Sequence, residues 1–277
     1  MTQKVTVVII AKNEELSLEY CLKTVGWADQ ILVIDNGSTD KTVQIAEDAG
    51  AKVIHFAHSS FARLRNEGLS HVDTEWLFYL DADERVTPTL AKEILVHIET
   101  NDAPVMAMKR KNICYGQEFK NGGWEDDEVT RVFRKDVLQK WEGRVHESPV
   151  YEGSKFTLHS PLVHLTHINT IQGLYKTISW TPIEAELLFK SNIAPVTFLT
   201  ILRKGFMEFF RRAIFKKGYR DGLPGLIEAL VQAINKFLIY IQIWELQRTT
   251  SLPDAYRKHE IEIAKLWDQE DIKEFKS

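Results

Sequence analysis

The tripeptide Asp81-Ala82-Asp83 follows the apolar run Trp76-Leu77-Phe78-Tyr79-Leu80. Two carboxylates leaving a buried strand into a turn can share one hard divalent ion, which prefers oxygen ligands and leaves positions open for substrate phosphates. Such a pair suits a diphosphate. Two acids at this spacing also fit a solvated turn that caps the helix starting near Thr87-Pro88; their place at the end of a strand sharpens the chemical reading. Two more polar clusters share that placement: Ala11-Lys12-Asn13-Glu14-Glu15 after residues 5–10, and Asp35-Asn36-Gly37-Ser38-Thr39-Asp40 after residues 31–35. Asn13 equally suits a helix N-cap, and Thr39 or Asp40 a cap of the following helix. A fourth cluster, Glu125-Asp126-Asp127-Glu128, lies between Gly122-Gly123-Trp124 and a strand-like Val129-Thr130-Arg131-Val132-Phe133. A carboxylate in that run is a candidate general base, with a solvated acidic loop as the alternative.

These clusters need a scaffold that delivers them to one edge. Short β-branched or aromatic runs at residues 5–10, 31–35, 52–56 and 76–80 are each followed by a stretch of helical spacing. That order predicts βαβ units and a mostly parallel sheet. The near-continuous apolar Val5-Thr6-Val7-Val8-Ile9-Ile10 fits burial on both sheet faces, so helices are expected on both. In parallel sheets ligands bind outside the carboxyl ends of the strands, where three of the four clusters fall. Residues 105–165 break into shorter pieces, punctuated by Gly116, Gly122-Gly123, Gly143 and Pro149, and predict an added mixed sheet with functional loops. From residue 171 onward the chain reads as helices at 171–190, 195–217, 225–247 and 254–275. The expected division is therefore an α/β domain over 1–170 and an α-helical appendage over 171–277.

Composition narrows the classes. A chain of 277 residues fits one large domain with an appendage, and 44% hydrophobic with 27% charged residues is ordinary globular material. The net charge of −4 argues against a dedicated nucleic-acid binder, which needs a basic surplus to displace counterions. Cys21 and Cys114 have no zinc spacing and no disulfide density, which fits packing thiols in a reducing compartment. The first apolar run is too short and too β-branched for a signal peptide, so a cytoplasmic location is expected. The match of Asn36-Gly37-Ser38 to a glycosylation acceptor carries no weight in that setting. Charge is nevertheless uneven. Residues 201–220 hold seven basic side chains against Glu208 alone, interleaved with Phe206, Met207, Phe209, Phe210, Ile214 and Phe215. That composition fits an interfacial helix on an anionic membrane surface, with a packed helical hairpin or a dimer contact as the alternative. Residues 226–244 carry Glu228, Gln232, Asn235, Lys236 and Gln242, and read as amphipathic rather than spanning.

The ordered set of residues 7–15, Asp35-Asn36-Gly37-Ser38-Thr39-Asp40, Arg65-Asn66-Glu67-Gly68 and Leu80-Asp81-Ala82-Asp83 resembles the family 2 glycosyltransferases, over roughly residues 4–170. The resemblance implies a GT-A fold and inverting transfer. It implies that Ala11, Asn13, Glu14 and Asp35 hold the base and ribose of a nucleotide sugar, that Arg65 lies near the nucleotide with Arg63 as a close alternative, and that Asp81 approaches the ribose or the metal. Asp83 would coordinate Mn2+ or Mg2+. The family's acid before an Arg-x-Phe-like strand favours Asp127 as base, with Asp126 second. His146, in Arg144-Val145-His146-Glu147, would supply a third metal ligand or a phosphate contact. These roles agree with the chemistry, since a guanidinium and a metal neutralise a leaving diphosphate. Asp81-Ala82-Asp83-Glu84-Arg85-Val86, Gly123-Trp124, Arg131-Val132-Phe133-Arg134, Val145-His146-Glu147 and His164-Leu165-Thr166-His167 resemble the lipopolysaccharide core β-glucosyltransferases. That implies UDP-glucose as donor, an inner-core heptose on a glycolipid as acceptor, and a peripheral location on the inner face of the cytoplasmic membrane. His164, His167 and Lys176 would contact acceptor or donor phosphates, or pack and cap. A nucleotidyltransferase would normally carry a glycine-rich loop after the first strand, which Ala11-Lys12-Asn13-Glu14 lacks. A catalytically silent binding module would have lost Asp83 or the downstream acids, and both are present.

Overall fold

A computed structural model describes residues 3–143 and 147–268. The chain divides into two compact units, Met1–Leu174 with Arg211–Glu228, and Tyr175–Phe210 with Ala229–Ser277. The basic segment Arg211–Glu228 thus groups with the α/β unit, whereas the sequence assigned everything after residue 170 to one appendage.

In the α/β unit, β1 (Val5–Ala11), α1 (Leu18–Lys23), β2 (Gln30–Asp35), α2 (Thr42–Asp48), β3 (Lys52–His55), α3 (Phe61–Ser70) and β4 (Trp76–Asp81) form the expected alternation. Strands β3, β2, β1 and β4 pair side by side and parallel. After β5 (Glu84–Arg85) and α4 (Pro88–Thr100), the sheet continues through β6 (Val105–Cys114), β7 (Gln117–Glu118) and β8 (Glu128–Arg134). Next come the pair β9 (Leu138–Glu142) and β10 (Ser148–Tyr151), then β11 (Lys155–Thr157) and β12 (Leu162–Thr166). Strand β8 is antiparallel to both β4 and β6, which makes the second half of the sheet mixed. The architecture is GT-A-like α/β with a C-terminal helical region.

Alternation along the strands divides the core. Val5, Val7, Ile9, Trp76, Phe78 and Leu80 face one layer with residues of α1, α2 and α4, while Val8, Ile10, Leu77 and Tyr79 face the other with residues of α3. Each such side chain contributes roughly 1.5–3 kcal/mol on burial, enough to hold the strand ends that carry the polar clusters. Gly68 sets how closely α3 approaches: a Cβ there would lie 2.6 Å from Val8 Cγ1.

The helical unit contains α5 (Thr170–Lys190) from Tyr175 onward, α6 (Phe198–Phe210), α7 (Gly222–Leu246) from Ala229 onward and α8 (Leu252–Asp268). Ala185, Val196, Ile239, Tyr240 and Ile243 form its core. Residues Gly218–Leu246 are long and apolar enough to cross a membrane by length and composition. Asn235 and Lys236 instead bond inside the unit, Asn235 accepting from Thr177 Oγ1 at 2.6 Å and Lys236 pairing with Glu184 at 2.8 Å. The helix expected over 195–217 changes character along its length. Helix α6 ends at Phe210, a π-helical turn covers Arg211–Phe215, and Lys217 is left-handed with φ 57°.

Candidate active site

Register brings the first clusters together. Ala11 pairs with Asp35 across β1 and β2, and Ile10 pairs with Asp81 across β1 and β4. The loops beyond are stitched to each other. Asn13, left-handed at φ 55°, accepts at Oδ1 from the Thr39 N–H at 2.8 Å and donates its own N–H to Ser38 Oγ at 3.0 Å. The Glu14 N–H donates to Thr42 Oγ1 at 2.7 Å. Asp35 is buried, accepting from the Ser38 N–H at 3.1 Å and meeting His55 Nδ1 at 3.2 Å. Burial pushes its carboxyl up, but the Ser38 and His55 hydrogen bonds more than offset this and leave it below the usual range.

A chain of opposite charges runs beneath these loops. Asp81 accepts from Arg65 Nη2 at 2.9 Å and from Arg131 Nη2. Arg65 also pairs with Glu147, Arg131 with Glu84, and Glu84 with Arg110. Burial pushes the Asp81 carboxyl up, yet Arg131 and then Arg65 hold it well below the usual carboxylate range. Glu84 goes the other way: burial outweighs Arg131 and raises its pKa. Only 1% of the Arg65 side chain is exposed, with Trp141 and Tyr79 against the guanidinium, and its bond to Asp81 fixes it at the carboxyl end of β4.

The two remaining carboxylates are linked through amide and imidazole. Asp127 is bidentate to Arg110, Nε to Oδ2 and Nη2 to Oδ1 both at 2.9 Å, and accepts a third bond from Asn112 Nδ2 at 2.9 Å. Asn112 Oδ1 accepts from His164 Nδ1 at 2.7 Å, and His164 Nε2 stands 3.5 Å from Asp83 Oδ2. Burial raises the Asp127 pKa, but Arg110 more than compensates and keeps it ionised. Asp126 is different, with 82% of its side chain exposed and Lys109 Nζ at 3.7 Å. A cleft of about 550 Å3 opens beside Asp83, lined among others by Glu14, Tyr20, Arg85, Leu165 and Ile168. It joins Glu14 and Asp83 in one space. His167 is buried against Glu228 at 2.8 Å, a packing role. His146 lies outside the described residues. Among the described residues no group of three or more His, Cys, Asp or Glu side chains is placed to hold a metal ion.

Sequence reasoning did not find Arg110 or Asn112, and it placed Glu84 in the acidic cluster after the fourth strand without a role of its own. Arg110 and Asn112 sit on β6 in a continuous polar run, Lys109-Arg110-Lys111-Asn112, and that run was the available signal.

A model of glycosyl transferase family 2 matches residues 6–149, and the chain belongs to this family: it is a glycosyltransferase. Similar proteins include an uncharacterised glycosyltransferase of Rickettsia bellii, 24% identical over 89% of this chain and 88% of that one. The lipopolysaccharide core biosynthesis glycosyltransferase LpsC of Rhizobium meliloti is 25% identical over 89% of this chain and 94% of its own length. Among solved structures, S. aureus TarS is 14% identical with TM-score 0.43, covering 84% of this chain and 49% of that one. Glucosyl-3-phosphoglycerate synthase from Mycobacterium tuberculosis, solved with Mn2+, UDP and glucosyl-3-phosphoglycerate, is 21% identical with TM-score 0.34, covering 40% and 44%. The chain spans less than half the length of either solved protein.

Proposed function

We propose that the protein is a metal-dependent inverting hexosyltransferase that moves glucose from UDP-glucose to a glycolipid, the inner-core heptose of lipopolysaccharide, working on the anionic inner face of the cytoplasmic membrane. One observation carries the chemistry: Asp127 is a fixed, ionised carboxylate joined through Asn112 and His164 to Asp83, two residues beyond β4. The similarity to LpsC over nearly its whole length supports the acceptor class.

The residues fit the roles as follows. Ala11, Asn13, Glu14 and Asp35 form the ledge for base and ribose, and the cleft beside Asp83 has the volume of an ordinary ligand site. Asp83 fits a divalent ion, Mn2+ or Mg2+, of the kind bound by one or two carboxylates and completed by substrate phosphate and water; His146 is proposed as its partner. Such an ion supplies charge neutralisation for the departing diphosphate. Asp81 is committed to Arg65 and Arg131, so its contribution is to fix the strand end rather than to bind metal. As the acceptor hydroxyl oxygen bonds to the anomeric carbon, the carbon–oxygen bond to UDP breaks, its electron pair leaves with the diphosphate, and Asp127 takes the hydroxyl proton. A carboxylate offers about four lone-pair sites, and groups among the described residues fill three, which leaves one for the acceptor hydroxyl in this reading. Asp126 lacks comparable anchoring.

The membrane reading rests on α6. Leu199, Arg203, Phe206, Met207 and Phe210 are exposed at helical spacing on one face, an apolar stripe with a cation in it. The whole reading is tested by incubating purified protein with UDP-glucose, Mn2+ and a heptose-terminated core acceptor. A β-linked product from the α-linked donor is expected. Retention of configuration, or transfer from another nucleotide sugar alone, would refute it.

A further inference from the structure

The loop that delivers Asp127 begins at the end of β7 and carries two glycines in left-handed conformations, Gly122 at φ 74° and Gly123 at φ 96°. Such a loop has more freedom than a positioned base tolerates. Its C-terminal end is fixed by the Arg110 and Asn112 bonds to Asp127. Its N-terminal end is fixed from about a hundred residues away. Asp221 Oδ2 accepts the backbone N–H groups of Lys120 at 3.2 Å and Asn121 at 2.8 Å, and Oδ1 accepts from Asn121 Nδ2 at 2.9 Å. The Asp221 carbonyl takes a fourth bond from Gln117 Nε2 at 2.6 Å. Just beyond, the Gly122 N–H donates to the Lys216 carbonyl at 2.7 Å, and Arg212 Nη1 donates to the Gly122 carbonyl at 3.0 Å.

The sequence around Asp221 is shaped for this approach. A Cβ on Gly218 would lie 2.8 Å from the Arg212 carbonyl oxygen and 3.5 Å from Gly122 Cα, and one on Gly225 would lie 2.1 Å from the Gly218 carbonyl oxygen. The π-helical turn Arg211–Phe215 and left-handed Lys217 turn the chain so that Asp221 reaches the loop. Two of the basic residues that the sequence reading assigned to lipid, Arg212 and Lys216, make these contacts through side chain and carbonyl. The residues of this segment, from Arg211 to Gly225, lie beyond 6–149, the part matched by the family model.

We propose that Asp221 is a positioning residue: the segment Arg211–Asp221 is a brace that holds the loop 119–126 so that Asp127 meets the acceptor hydroxyl. The inference rests on the reading of Asp127 as base, and the test separates the two. In the full chain, Asp221→Ala should lower kcat by about 10- to 100-fold while the KM for UDP-glucose changes by less than about 2-fold, as expected when a reacting group is misplaced but the donor site is intact. Asp221→Asn keeps one acceptor oxygen and should recover part of the rate. Amide hydrogen exchange at Lys120, Asn121 and Gly122 should quicken in Asp221→Ala, with exchange in β1 and β4 unchanged. Because Asp221 acts through Asp127, adding Asp221→Ala to Asp127→Asn should cost less than about 2-fold more. Multiplying losses, or unchanged kcat with quickened exchange, would overturn the positioning role. If Asp127→Asn transfers at the wild-type rate, the base assignment fails instead, and the exchange and kcat of Asp221→Ala alone still decide whether the brace matters.

Discussion

Replacing Asp81 by Asn should destabilise the α/β unit substantially, although the two side chains have the same shape. Arg65 and Arg131 have 1% and 7% of their side chains exposed, so neither guanidinium can turn to water when its partner is neutralised. Asparagine offers one acceptor oxygen, and its amino group would face one of the two guanidinium groups. Breaking a buried pair costs about 3–5 kcal/mol. Two features move this case toward the lower end: Asp81 is itself 25% exposed, and Arg65 keeps Glu147 at 3.0 Å while Arg131 keeps Glu84 at 3.6 Å. About 2–4 kcal/mol remains, or a fall in Tm of roughly 5–15 °C for a unit of 150–250 residues. Acid should begin to narrow the difference. The folded pKa of Asp81 lies below its unfolded value near 3.9, so its contribution is present above about pH 4 and fades as the pH falls through the folded value. Thermal and urea unfolding from pH 3 to 8 would measure both effects. The double variant Asp81→Asn/Arg131→Met removes both charges of one pair and should recover part of the loss. A single variant melting within about 1 °C of the wild type at pH 7, or a double variant as unstable as the two singles added, would refute the reasoning.

Gly68→Ala places a Cβ 2.6 Å from Val8 Cγ1, and the overpacking, about 1–3 kcal/mol, should exceed the gain in helix propensity of up to about 1 kcal/mol; an unchanged or higher denaturation midpoint would contradict the close packing of α3 on β1. Asp35 also has a lowered pKa, so its stabilisation is present above about pH 4 and lost in acid, and Asp35→Asn should flatten the stability profile between pH 3 and 5; an unaltered slope would count against the Ser38 and His55 bonds. Replacing Leu199, Arg203 and Met207 by Gln should weaken co-sedimentation with anionic vesicles, the Arg alone by about 1 kcal/mol, while donor hydrolysis in solution is spared. Unchanged sedimentation would remove α6 from the membrane reading.

Strands β1, β2, β3 and β4 were legible to within a residue because each is a short β-branched or aromatic run, in β1 and β4 buried on both faces, a pattern set locally. Their carboxyl ends follow from topology, which is why Ala11, Asp35 and Asp81 were brought to one edge as expected. What the sequence did not reveal is long-range pairing. Arg131 reaches Asp81 across fifty residues and Asp221 reaches Asn121 across a hundred, and neither residue type nor spacing announces such partners. The Arg65 motif is local and was legible, whereas the rings of Trp141 and Tyr79 against its guanidinium come from other elements and were not. The basic tail shows the same limit. Helical periodicity runs smoothly through residues 195–217, while the change to a π-helical turn after Phe210 and the close approach of Gly218 to Gly122 leave no mark in that periodicity.

The most direct measurement pairs UDP calorimetry in Mn2+ with single-turnover transfer for the wild type, Asp83→Ala and Asp127→Asn. Asp83→Ala should lose Mn2+-dependent UDP affinity and transfer together, since it removes the carboxylate proposed to hold the ion that neutralises the diphosphate. Asp127→Asn should bind UDP like the wild type yet transfer roughly 10²–10⁴-fold more slowly, the usual contribution of a positioned base. Wild-type transfer by Asp127→Asn, or equal loss of UDP binding in both variants, would contradict the division of labour between the two carboxylates.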